Sequence, residues 1–198
     1  NQLPLLFAIA LPIGLARKQN ARASMEAFVI YLVFLNYVST ILKHWGPTFG
    51  VDFSQEVGGA SGLAMIANIK TLDMGMMGAL AISGIAIWIH NRYFDKRLPE
   101  ALGVFKGSAF VLGVGFILMI PVAFLAVLIW PKIQAGMNVF RDFILNSGTL
   151  GVGVFVLLEK LLIPFGLHHL LYAPMYYDSL VVPGGIYAYW AQNLPQIA

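Results

Sequence analysis

Residues 107–131 read GSAFVLGVGFILMIPVAFLAVLIWP, 25 residues without a charge, bounded by Lys106 and Lys132. As a helix rising about 1.5 Å per residue, the run reaches about 37 Å, enough to cross the roughly 30 Å hydrocarbon core of a bilayer. Its length sets the class as a membrane-spanning helical protein. Toward the N-terminus, Leu3 to Ala16 is closed by Arg17, Lys18 and Arg22. Ala23 to Leu42 carries Glu26 near its start and ends at Lys43-His44-Trp45, and Met74 to Ile89 is closed by His90 and Arg92. Toward the C-terminus, Phe143 to Leu158 reads as a fifth span and Leu161 to Tyr177 as a broken sixth. The shorter runs sit near the lower limit for crossing, where flanking Arg and Lys can snorkel to the interface. No ten-residue alternating pattern persists, so transmembrane strands are not expected.

Composition agrees. Of the 198 residues, 59% are hydrophobic and 11% charged, and mean hydropathy is +0.79. Ordinary globular chains hold about 25% charged residues, so too few are present here to cover a soluble surface. A net charge of +3 gives no footprint for nucleic acid. The absence of cysteine excludes disulfides, thiolate metal sites and thiol nucleophiles within these residues. The chain starts at Asn1 without a methionine and is expected to be part of something longer.

Orientation follows from Lys and Arg. The segments after the first and third spans hold Arg17, Lys18, Arg22, Arg92, Lys96, Arg97 and Lys106, whereas those after the second and fourth hold Lys43, Lys70, Lys132 and Arg141. The richer set is expected on the cytoplasmic side, with the first span running inward and an outward span ahead of it. Trp45 to Thr71, with its glycines and Pro47, reads as a non-helical loop long enough to have function or local order. The glycine-rich run 146–153 reads as a second non-helical interruption, suited to close helix packing or a ligand contact. After Asp178, Tyr187, Tyr189 and Trp190 suit the membrane interface or a core.

Chemistry concentrates between Leu158 and Pro174. Glu159 and Lys160 are the only charges between Asp142 and Asp178, and Pro164 and Gly166 break the helix just before His168 and His169. Such a break frees backbone groups that lipid cannot satisfy. Ionisable groups beside it are the make-up of a polar substrate site in a transporter. A neutral imidazole can take a proton from a hydroxyl near pH 7. The plainer alternative puts Glu159 and Lys160 among headgroups, with the histidines capping a helix. Adjacent histidines point apart on a helix and no third ligand is spaced to join them, so no metal site is expected.

Here the chain resembles a known family. Ile-Pro-Phe-Gly-Leu-His-His, 163–169, is similar to the signature of the membrane-spanning IIC component of bacterial sugar phosphotransferase systems, in the glucose/maltose superfamily. The runs at 3–18, 69–75 and 90–100 resemble the family's early inward span, central loop and cytoplasmic turn. Gln-Glu-Val-Gly-Gly-Ala-Ser-Gly-Leu, 55–63, is most similar to the maltose (α-glucoside) branch.

The resemblance implies an all-α, polytopic fold with a re-entrant hairpin, as a fragment of the IIC fold. Residues 1–155 would form a scaffold and dimerisation domain of about five spans, and 156–198 the start of the sugar-transport domain. It implies inward movement of maltose or a related glucoside across a bacterial plasma membrane. A cytosolic IIB domain, supplied by IIA, would then phosphorylate the sugar from its phosphocysteine, with no other cofactor. His168 would act as general base or orient the hydroxyl, and Glu159, Lys160, Gly166 and His169 would bind substrate. Many relatives have Arg where Lys160 stands, and lysine lacks the planar bidentate fork. The family's Gly-x-Thr-Glu-Pro carboxylate would lie beyond Ala198, so this piece alone is not expected to transport. The competing readings are a proton-coupled secondary sugar transporter, a purely structural subunit, and a permease for glucose or N-acetylglucosamine.

Overall fold

The computed structural model describes residues 2–57, 61–96, 98–99, 103, 105–163 and 186–197. Its helices are α1 (Leu3–Leu15), α2 (Asn20–Trp45), α3 (Gly75–Tyr93), α4 (Ser108–Asn146), α5 (Gly148–Leu162) and α6 (Ile186–Ile197). Among the described residues, two apolar helical stretches, Asn20–Phe49 and Ser108–Gly136, are long enough to cross a membrane.

The chain divides into two units, one of residues 1–53 and 64–128, the other of 54–63 and 129–198. In the first, α1, α2 and α3 all pack on one another, and α2 also packs on the short strand Ile69–Leu72. α2 buries Ala23, Ala27, Ile30, Phe34, Val38 and Ile41 at steps of three and four, the spacing that keeps side chains on one helix face. From α1, Pro4, Ala8 and Pro12 are buried, a narrow stripe that admits close approach. α4 presents Val111, Met119, Ala123 and Val127, all fully buried. Gly115 lies on the same stripe, where an added Cβ would come 2.7 Å from Ile30 Cδ1. The Trp45 and Phe124 rings meet farther along, 5.9 Å between centroids, so α4 runs the same way as α2. Away from its buried stripe, α4 exposes Ile117, Leu125, Leu128 and Ile129. An apolar outer surface of this kind fits acyl chains, as the sequence leads one to expect.

Three features correct the sequence reading. The long loop contains a two-stranded hairpin, β1 (Leu63–Ile66) and β2 (Ile69–Leu72), so the protein is mostly rather than wholly helical. Ala67 and Asn68 at its tip both have positive φ, 50° and 61°, as a two-residue turn between twisted strands requires. Second, α4 continues through Pro121 and Pro131 to Asn146 instead of ending near Lys132. Third, the helix expected from Phe143 to Leu158 is broken at Ser147–Gly148, where Gly148 has φ 54°. Most of the expected re-entrant hairpin, including Gly166, His168 and His169, lies outside the described residues.

In the second unit, the Gln134 amide donates to the carbonyl of Gly62, 3.1 Å away, tying the 54–63 segment to α4. Gly62 has φ +68°, and a Cβ there would meet the Gln134 side chain at 2.9 Å.

Candidate functional site

Of the five residues singled out from the sequence, the structure describes Glu159 and Lys160. Both lie in the last turn of α5, with Glu159 half-buried and Lys160 exposed. The ammonium there complements the negative end of the helix dipole. α5 stops at Leu162, two residues before Pro164 in the sequence, a residue type that removes a helical hydrogen bond and favours a kink or an end. Neighbouring positions on a helix diverge by about 100°, so the two side chains leave α5 in different directions.

A second polar constellation lies where the α1–α2 turn meets the end of α3. His90 and Glu26 are both buried, and His90 Nδ1 lies 2.6 Å from Glu26 Oε2. The opposite ring nitrogen, Nε2, is 2.8 Å from the carbonyl oxygen of Lys18. Phe94 lies over the imidazole with ring centroids 4.7 Å apart. Around this core, the Arg17 N–H donates to Asn91 Oδ1 at 2.9 Å and the Lys18 ammonium to Asp95 at 2.7 Å. Asn20 Nδ2 donates to the carbonyl of Ile13, one of those left open at the end of α1. The sequence reading treats Glu26 and His90 as punctuation of separate spans and misses the pair. Alternating topology was the available signal, because it would put the start of the expected second span and the end of the expected third on the same side.

At the other end of this unit, Asp73 precedes α3 and accepts the N–H of Gly75 at 3.3 Å. Burial raises its carboxyl above the ordinary value, and that N–H partly offsets the shift. Lys70 lies over the Phe53 ring, 4.9 Å from its centroid. Among the described residues, no three His, Asp or Glu side chains converge in a group that could hold a metal ion.

The profile of the family described as "Phosphotransferase system, EIIC" matches residues 1–197. Over 194 residues the chain is 52% identical to the PTS system maltose-specific EIICB component of Bacillus subtilis, covering 98% of this chain and 37% of that protein. It is 50% identical over 198 residues to the PTS system alpha-glucoside-specific EIICB component of Fusobacterium mortiferum, covering 100% of this chain and 38% of that protein. The PTS system glucose-specific EIICBA component of Staphylococcus saprophyticus is 38% identical over 183 residues, covering 90% of this chain and 25% of that protein. The chain thus spans well under half the length of these relatives.

Proposed function

The chain belongs to the phosphotransferase system EIIC family, and from that premise we propose that, within its full-length protein, it carries maltose or a related α-glucoside inward across a bacterial plasma membrane. The observation that carries this reading is its 52% and 50% identity, over nearly its whole length, to components named for maltose and α-glucoside. Identity falls to 38% for the glucose-specific relative, which favours the disaccharide over glucose. The relatives are named EIICB components, so the phosphoryl donor of this reading is a IIB phosphocysteine, recharged through IIA. Residues 1–155 serve as a polytopic, dimer-forming scaffold and 156–198 open the sugar-transport domain.

The chemistry is a displacement at phosphorus. A sugar hydroxyl oxygen attacks the phosphorus, the S–P bond breaks, and the cysteine leaves as thiolate. His168 takes the hydroxyl proton or aligns the hydroxyl for attack. Glu159, Lys160, Gly166 and His169 hold the substrate, with the half-buried position of Glu159 suiting a carboxylate that accepts sugar hydroxyls. The test is uptake of labelled maltose by vesicles containing the full-length protein. Accumulation as sugar phosphate, dependent on phosphoenolpyruvate and the general phosphotransfer proteins, is the expected result. Accumulation of free maltose driven by a proton gradient would overturn the reading.

A further inference from the structure

The end of α3 grips the α1–α2 turn at successive points: Asn91 holds the Arg17 N–H, His90 holds the Lys18 carbonyl, and Asp95 holds the Lys18 ammonium. The next residue, Gln19, has φ 51° and ψ 48°, a left-handed conformation uncommon for a residue with a side chain. Of the three gripping side chains only His90 is buried, and Glu26 of α2 fixes the direction of its ring.

The hydrogen-bond chemistry limits where protons can be. A carbonyl oxygen only accepts, so the Nε2 facing Lys18 must carry a hydrogen. At 2.6 Å, Nδ1 and Oε2 would repel if both were bare, so a proton lies between them. It sits either on Nδ1, as an imidazolium facing a carboxylate, or on Oε2, as an acid facing a neutral ring. Both arrangements have no net charge, which a dry interior tolerates far better than a lone ion. From the elements packed around them, Arg17, Lys18, Arg22, Arg92, Asp95 and Lys96 are all exposed. α1 and residues 108–128 of α4 contain no Asp, Glu, His, Lys or Arg.

We propose that Glu26 and His90 hold one proton between them as a buried neutral pair, and that this pair positions the strained turn joining α1 to α2. The pair is a positioning device outside the sugar chemistry.

The test uses full-length protein in detergent. Nitrogen-15 histidine spectra report the ring's protonation, and hydrogen exchange reports the amides of residues 17–20. The expected wild-type spectrum has hydrogen on Nε2 of His90. Glu26→Gln, whose amide can donate to Nδ1 and leave Nε2–H in place, should keep exchange within about twofold of wild type. His90→Phe should speed it by about tenfold or more. Adding Glu26→Leu to His90→Phe should recover thermal stability, since the stranded carboxylate is gone, without recovering protection of the turn. A bare Nε2, or a turn loosened as much by Glu26→Gln as by His90→Phe, would overturn the proposal. So would His90→Phe with unchanged exchange. If that variant does not accumulate, the wild-type spectrum and Glu26→Gln decide between the outcomes.

Discussion

The hydroxyl of Ser83 on α3 donates a hydrogen bond to the carbonyl of Ala8 on α1, 3.2 Å away in a buried contact. Ala8 lies four residues before Pro12, so its carbonyl is the one that the proline leaves without a helical donor. A neighbouring hydroxyl thus completes a backbone that lipid could not satisfy.

Ser83→Ala should therefore destabilise the full-length protein by about 1–3 kcal/mol, the range for a stranded buried acceptor. Pro12→Ala restores a peptide N–H aimed at Ala8 and should recover much of the loss. Melting in detergent across the two single variants and the double variant measures this coupling. Additive effects would contradict the compensation.

Gly115→Ala should be destabilising by about 1–3 kcal/mol, because its Cβ would press on the buried end of Ile30. Ile30→Ala makes room, so the double variant should be more stable than the sum of the singles implies. Thermal unfolding in one detergent is the measurement.

Asp73→Asn should raise the melting temperature at neutral pH by about 2 °C or more. With its carboxyl raised by burial, the stability linked to Asp73 is fully present below the ordinary carboxylate range and lost as pH rises through the raised value. Asparagine avoids that charge and still accepts the Gly75 N–H. The advantage should shrink as pH falls to about 4.

His168→Ala should lower sugar phosphorylation by about 100-fold or more in the full-length protein, in keeping with loss of a general base. Lys160→Arg should stay within about threefold of wild type, and Lys160→Met should fall by about tenfold, if a cation there holds the substrate. Both are read as sugar phosphate formed in vesicles.

The first three helices were legible because charge punctuates them. Expected limits of Leu3–Ala16, Ala23–Leu42 and Met74–Ile89 compare with Leu3–Leu15, Asn20–Trp45 and Gly75–Tyr93. The hairpin was not legible, since strands of four residues are too short to show a period. Pro131 and Lys132 read as an end, yet α4 carries on to Asn146. The Asn146-Ser-Gly-Thr run read as a non-helical interruption suited to packing or ligand contact, and the break at Ser147–Gly148 falls within it. For the candidate site, residue types and the proline break marked Glu159 and Lys160, but the direction each takes from α5 needed the helix itself. The Glu26–His90 pair stayed hidden because 64 residues separate its members.

The outer face of α4 makes the surrounding amphiphile a thermodynamic component of the protein. Ile117, Leu125 and Leu128 are withdrawn from water by acyl or detergent tails, which do there what a hydrophobic interior does in a soluble protein. A melting temperature for this chain therefore describes a protein–detergent pair. Variants compared in micelles of different tail length would be compared against different reference states.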